Sequence, residues 1–173
     1  MSRLSTLSPA DAPDKARALL ADIAERHGSV GPMIATMAHS PALLQGYLEL
    51  SRAMKRLKLP RTLSEKISLA VQEWLGCALC LEAHTTAGRA AGLTDTDITM
   101  ARQGLSVDDR ETALLSFATR VLAEPFTITD DDLTDLRAHG WNDRVIADTV
   151  GLVALNQLTG SFNLVAGLEP DES

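Results

Sequence analysis

Hydrophobic residues recur along the chain at intervals of three and four, the spacing that places side chains on one face of an α-helix. In one stretch the repeating positions are Leu43, Leu44, Tyr47, Leu48 and Met54. No stretch shows the sustained alternation of apolar and polar residues that is typical of β-strands. The pattern therefore predicts an all-α protein.

Prolines, glycines and capping hydroxyl residues divide this pattern into successive helices. The predicted helices run from Pro13 to His27, Pro32 to Ala38, Pro41 to between Leu57 and Pro60, beyond Thr62 to Gly76, Cys77 to Ala91, Thr94 to Arg102, Ser106 to Glu124, Thr129 to His139, and Asn142 to about Gly167. We group them as one helical-bundle domain, residues 1–173. It has N-terminal helices (1–58), a core that holds both cysteines (60–105) and C-terminal helices (106–168).

Two of the predicted helix junctions use the same kinds of residue. Gly92-Leu93-Thr94-Asp95 and Gly140-Trp141-Asn142-Asp143 each combine a glycine stop, an apolar residue, a capping side chain and an acid. An internal duplication and a shared set of capping residues both explain the match, and we favour shared capping.

The charge balance limits the possible partners. The 173 residues include 16 basic and 23 acidic ones, a net charge of −7, and the basic residues are scattered. A nucleic-acid partner is therefore not expected, because binding the phosphate backbone needs a basic surface. Residues 1–9 contain no continuous apolar stretch of the kind found in secretory signals, so we predict a cytoplasmic protein.

The segment Thr149 to Leu168 contains twenty residues without a charge, about the length of a membrane span. It also contains Asn156, Gln157 and Asn163, whose amides would be costly in hydrocarbon. We therefore predict no membrane span. The segment is expected to be a helix buried partly in its own domain and partly against another subunit of a homo-oligomer.

The chain has two cysteines, Cys77 and Cys80, and they lie too close together to stabilise the fold by closing a loop. A close pair in a reducing compartment is more typical of redox or metal chemistry. On a helix, Cys77, Cys80 and His84 would share one face. Free amides in the first turn would stabilise a thiolate at Cys77, and His84 could exchange a proton with Cys80.

Two carboxylates compete as the partner of His84. If the helix before Gly76 folds back antiparallel on the next one, Glu65 lies about 16 Å from the turn and His84 about 10 Å from it, at roughly 1.5 Å per residue. A glutamate side chain or one water molecule can span the remaining gap of about 6 Å. Glu73 would lie near the turn itself. We therefore predict a pair between Glu65 and His84.

Several alternatives are considered for the same residues. A c-type haem is excluded, because Leu81 stands where its histidine would follow the second cysteine. A thioredoxin motif is disfavoured because it needs a preceding strand. Zinc on Cys77, Cys80 and His84 remains open, although no other cysteine could complete the site. Two inert buried cysteines beside a hydrogen-bonded histidine also remain open.

These motifs resemble the alkylhydroperoxidase D-like (AhpD-like) branch of the carboxymuconolactone decarboxylase family. The matching residues are Leu63-Ser64-Glu65-Lys66-Ile67, Gly76-Cys77-Ala78-Leu79-Cys80, Ala83-His84-Thr85 and Ala91-Gly92-Leu93. The resemblance implies an all-α fold and reduction of organic hydroperoxides by thiols, without a metal, haem, flavin or other cofactor. It implies that Cys80 attacks the peroxide, that Cys77 forms the disulfide, and that Glu65 and His84 relay the proton. The helix-dipole argument alone favours Cys77 as the more acidic thiol.

The chain departs from the family pattern at Leu79, where the best-known peroxidase of the family has a second histidine. One arm of that enzyme's proton relay is therefore missing. The reaction rate and the identity of the dithiol that supplies electrons are thus not implied by the resemblance. Family members form trimers or hexamers, and we favour a hexamer. The rival hypotheses are a decarboxylase-type lyase that uses His84 and Glu65 alone, and a redox sensor without turnover.

Overall fold

The computed structural model describes residues 2–170, and within them the chain is all α-helical, without β-strands. The helices are α1 (Asp14–His27), α2 (Pro32–Met37), α3 (Pro41–Met54), α4 (Arg61–Leu75), α5 (Ala78–Ala90), α6 (Asp95–Arg102), α7 (Asp109–Ala123), α8 (Asp130–Ala138) and α9 (Asp143–Ala166), with a short 3-10 turn at Pro125–Thr127. The predicted fold class is confirmed.

The chain divides into two compact units, which here are called unit 1 and unit 2. Unit 1 contains the described residues 2–55 and 162–170, whereas unit 2 is the continuous stretch 56–161. The predicted grouping into one domain of three consecutive parts stays a prediction. Both cysteines and the other candidate residues lie in unit 2.

Each unit has its own hydrophobic core. In unit 1 the core joins α1, α2 and α3 through Ala12, Ala16, Leu20, Met37, Ala38 and Leu44. In unit 2 the main core is formed by α4, α7, α8 and α9, and includes Leu63, Ile67, Val71, Leu114, Leu115, Ala118, Leu136, Trp141 and Val153. A smaller cluster of Leu69, Leu93, Ile98 and Ala101 holds α6 against α4. Helix α4 therefore contributes to both clusters of unit 2.

At four of the predicted helix starts a side chain accepts a backbone N–H, as a capping residue does; these residues are Ser40, Thr94, Thr129 and Asn142. Ser106 was wrong as the start of the seventh helix. That helix begins at Asp109 and is capped by Asp108, whereas the Ser106 hydroxyl bonds Glu111. The third helix also ends earlier than expected, at Met54.

The uncharged segment from Thr149 to Leu168 lies mostly within α9. Thr149, Asn156 and Asn163 are buried there, as expected for a helix within a protein core. Within residues 2–170, no helix is both long enough and apolar enough to cross a bilayer. The subunit contact predicted for this segment stays a prediction.

Candidate active site

The site is built around the sharp turn that joins α4 to α5. Gly76 takes a left-handed conformation with φ 74°, which a glycine adopts without a steric cost. The backbone N–H groups of Gly76 and Cys77 both donate to the carbonyl oxygen of Gln72, at 2.9 and 3.1 Å. This turn reverses the chain and places Cys77 at the N-cap of α5.

The two cysteines form a disulfide across the first turn of α5, with their Cα atoms 5.3 Å apart. The Cys77 sulfur also accepts the backbone N–H of Cys80 at 3.3 Å, which is the contact of an N-cap side chain. Both residues are buried: Cys77 is 1% exposed and Cys80 is 6% exposed. The pair is therefore held at the amino end of α5, where backbone amides favour negative charge on sulfur.

Glu65 and His84 meet across the interface between α4 and α5. Nδ1 of His84 lies 2.8 Å from Oε2 of Glu65, and the side chains are 28% and 8% exposed respectively. Gly88 leaves room for Leu93, because a Cβ atom at that position would lie 3.0 Å from the Leu93 side chain, whereas its distance of 3.8 Å from the Glu65 Cβ would be an ordinary contact. The competing carboxylate, Glu73, instead accepts from Arg102 at 2.7 Å. The structure thus brings together the predicted Glu65 and His84, while their roles in a reaction stay a prediction.

Arg61 is a second partner of Glu65, and the sequence motifs did not indicate it. Its Nε donates to Oε1 of Glu65 at 2.5 Å, and its side chain is 69% exposed. Burial raises the pKa of Glu65, but the hydrogen bonds and positive charges of His84 and Arg61 outweigh burial, so the pKa lies below its ordinary value. The spacing of four residues between Arg61 and Glu65 on one helix was the available signal.

A buried amide network lies along the inner side of α4 and was also missed. The Gln72 side-chain NH₂ donates to the backbone and side-chain oxygens of Asn156, at 2.9 and 3.0 Å. Asn156 donates in turn to the Ser68 hydroxyl at 3.0 Å. Gly160 leaves room for this arrangement, because a Cβ atom there would lie 2.5 Å from Oε1 of Gln72. The network fixes Gln72, whose carbonyl holds the turn before Cys77.

Lys66 follows Glu65 directly but has different partners. Its buried ammonium lies 2.6 Å from Oε2 of Glu111 and 3.1 Å from the Ser106 hydroxyl, and Asp97 is 3.8 Å away. This cluster joins α4 to α6 and to the start of α7. Lys66 is therefore a structural cation rather than a member of the candidate site.

Helix α5 carries both kinds of chemistry that the site offers. The cysteine pair can give or take two electrons, and His84, one turn after Cys80, shares a proton with an ionised Glu65. Among the described residues, no group of three or more His, Cys, Asp or Glu side chains is arranged to hold a metal ion. The arrangement is suited to thiol chemistry assisted by proton transfer.

Comparisons with known proteins agree with this architecture. Residues 41–123 match the model of the carboxymuconolactone decarboxylase family. Comparison with curated protein sequences gives no significant match.

Solved structures with this fold include proteins from two bacteria and a debrominase. An uncharacterised peroxidase-related protein with an alkylhydroperoxidase AhpD core, from Ralstonia eutropha JMP134, has a TM-score of 0.82 and 23% identity, and the match covers 99% of this chain and 93% of that one. An uncharacterised peroxidase-related protein from Silicibacter sp. TM1040 has a TM-score of 0.80 and 23% identity, with 99% and 95% covered. A variant of the debrominase Bmp8, in complex with 2,3,4-tribromopyrrole, has a TM-score of 0.75 and 16% identity, with 100% and 93% covered.

At these identities the solved structures establish the fold, while the family model matches a segment that includes Glu65, Cys77, Cys80 and His84. Residues 41–123 thus match the carboxymuconolactone decarboxylase family, and the chain has the fold of the solved AhpD-core structures.

Proposed function

We propose that the protein is a thiol-dependent peroxidase that reduces organic hydroperoxides and takes its electrons from a dithiol. The observation that carries the proposal is a Cys77–Cys80 disulfide on the same helix as His84, which is bonded to a buried carboxylate. A peroxide needs two electrons to cleave its O–O bond, and a dithiol that becomes a disulfide supplies two. The family and the fold support an enzymatic, peroxidase-related role.

In the proposed reaction, the thiolate of Cys80 attacks the outer oxygen of the hydroperoxide ROOH. The O–O bond breaks, the alkoxide takes a proton through His84 and leaves as ROH, and Cys80 becomes a sulfenic acid. The Cys77 thiolate then attacks the Cys80 sulfur, which forms the disulfide and releases hydroxide, which is protonated to water. A reducing dithiol restores both thiols by two exchange steps and itself becomes a disulfide. In this scheme, the Cys77–Cys80 disulfide is the form that accepts electrons from the dithiol.

The proposal is tested by replacing each cysteine in turn. We expect Cys80→Ser to abolish peroxide-dependent oxidation of a dithiol such as dihydrolipoamide, because the attacking sulfur is gone. Without added dithiol, reduced Cys77→Ser should consume about one equivalent of cumene hydroperoxide and stop at the sulfenic acid, since no disulfide can form within the protein. Mass spectrometry would then detect the sulfenic acid on Cys80 as a dimedone adduct. Full turnover by Cys80→Ser would contradict the assigned role.

The lyase hypothesis makes the opposite prediction, because it uses only Glu65 and His84. Activity on a lactone acid that survives in a variant lacking both cysteines would support it. A brominated pyrrole also belongs in the substrate panel, because a debrominase shares the fold. Reversible formation of the disulfide without turnover of any substrate would support the redox-sensor hypothesis.

A further inference from the structure

The carboxylate of Glu65 has a separate donor for each of its oxygens. His84 meets Oε2 through Nδ1, and Arg61 meets Oε1 through Nε. An ionised carboxylate only accepts hydrogen bonds, so Nδ1 of His84 must carry the shared proton. The terminal torsion of a glutamate is soft, so two donors fix the plane of the carboxylate better than one.

We propose that Arg61 is a positioning residue, which holds Oε1 of Glu65 so that Oε2 stays on Nδ1 of His84. The arrangement fixes one tautomer of His84 and leaves Nε2 as the nitrogen that exchanges protons with the reacting groups. This inference rests on the proposed function for its consequence in catalysis. Its consequence for the histidine tautomer stands without any reaction.

An ordinary surface ion pair would not have this effect. Such a pair contributes little, because water competes for both partners. Arg61 is exposed, but its partner is not: the Glu65 side chain is 8% exposed. Removal of Arg61 would leave Oε1 without its donor in a buried place, which is costly unless the carboxylate moves or takes a proton. The pair of Arg102 and Glu73 provides the contrast, because both of its side chains are 40% or more exposed.

Other charged groups near α4 have partners other than Glu65. Helix α5 presents His84 to it, and α4 itself presents Arg61. Helices α6 and α7 also pack on α4, but their acids Asp97 and Glu111 face Lys66. Arg61 and His84 therefore account for the charges that act on this carboxylate.

The sign of the pH effect follows from these contacts. Burial raises the pKa of Glu65, while His84 and Arg61 lower it to a greater extent. Loss of Arg61 removes one lowering contribution, so the pKa of Glu65 rises. The relay needs an ionised Glu65, and activity is lost as the pH falls through this pKa. The acidic limb of the pH profile should therefore move to higher pH when Arg61 is replaced.

The experiment compares Arg61→Gln, Arg61→Lys and the matched control Arg102→Gln, which breaks the exposed pair between Arg102 of α6 and Glu73 of α4. In steady-state assays with cumene hydroperoxide and dihydrolipoamide, Arg61→Gln should lower kcat about tenfold with little change in KM, because the relay is misplaced while binding is intact. Its acidic limb should lie at higher pH. Arg61→Lys retains the charge, so its acidic limb should lie at the wild-type pH and its kcat should be partly restored. Arg102→Gln should match the wild type.

A second measurement separates this inference from the proposed function. Nitrogen NMR of the histidine rings in the oxidised protein, without substrate, should show His84 with its proton on Nδ1 in the wild type and in Arg102→Gln. Arg61→Gln should show a mixture of tautomers. If the wild type has no peroxidase activity but the tautomer still differs between the wild type and Arg61→Gln, the peroxidase proposal is refuted and the role of Arg61 is supported. An unchanged tautomer in Arg61→Gln would overturn that role, whatever the activity.

Discussion

Two segments of unit 2 share a helical plan but differ in chemistry. Helix α7 begins and ends 48 positions after α4, and both contain 15 residues. Helix α8 ends 48 positions after α5, and α9 begins 48 positions after α6. The shared capping residues explain the two junctions, and the helix bounds add a partial repeat, because α4 and α7 match at both ends whereas α8 begins 52 positions after α5. We call residues 61–102 the first segment and 109–150 the second.

The residues of the candidate active site occur in the first segment and not in the second. Where the first segment has Glu65, Cys77, Cys80 and His84, the corresponding residues of the second are Ala113, Pro125, Ile128 and Asp132. Asp132 bonds Arg120 through both carboxylate oxygens, at 2.6 and 3.1 Å, and caps α8. The second segment thus forms a helix equivalent to α4 without the glutamate, and it has a 3-10 turn where the first segment has the cysteine pair.

The largest predicted difference is between variants that neutralise one acid in each segment, Glu65 in the first and Asp132 in the second. Glu65→Gln keeps the size of the side chain but removes its negative charge, so peroxide reduction should fall about 100-fold or more, the usual contribution of acid–base catalysis. Asp132→Asn should leave the specific activity of the folded protein unchanged, because Asp132 bonds only structural groups. Steady-state assays on both variants test this. Equal losses would show that the segments do not differ in function.

The second prediction concerns the position after Glu65. Lys66 is a buried cation paired with Glu111, whereas the corresponding residue of the second segment is the buried Leu114. Lys66→Met leaves Glu111 without its cation and should lower the free energy of unfolding by about 3 kcal/mol. Leu114→Met keeps the volume and should cost about 1 kcal/mol or less. Urea-induced unfolding measures both, and equal costs would mean that the ion pair contributes nothing particular.

The smallest predicted effect concerns the caps that the segments share. Thr94 caps α6 and Asn142 caps α9, each with an acceptor distance of 3.1 Å. Thr94→Ala and Asn142→Ala should each lower the free energy of unfolding by about 1 kcal/mol. Thr99→Ala, at an exposed position within α6, is the control and should change it little. Clearly unequal losses of stability for the two caps would argue against a correspondence between the two segments.

The sequence predicts most of the helices because their ends depend on local chemistry. A glycine such as Gly76 or a capping threonine such as Thr94 acts on backbone groups within a few residues, so its effect is readable from the chain. Ser106 was mistaken for a cap because it is a capping type of residue. Its hydroxyl is instead used by Lys66 and Glu111, 40 positions before it and five after it, a choice made by tertiary packing.

Some contacts of the candidate site were also predictable from the sequence, whereas others depend on tertiary packing. The contact of Glu65 with His84 was predictable, because the length of each helix from one turn fixes which residues lie opposite each other. Arg61 was not singled out, since an arginine four residues before a glutamate is usually a surface pair. What distinguishes this one is the burial of Glu65 between two helices, and burial depends on packing that the spacing alone does not reveal.

The sulfur of Cys77 caps α5 while it is bonded to Cys80. A thiolate is a stronger acceptor of an N–H than a disulfide sulfur, so the same cap is available after the bond is cleaved. In the proposed cycle the start of α5 therefore keeps its cap when the disulfide is reduced, so the pair can gain and lose electrons without a rearrangement of the backbone.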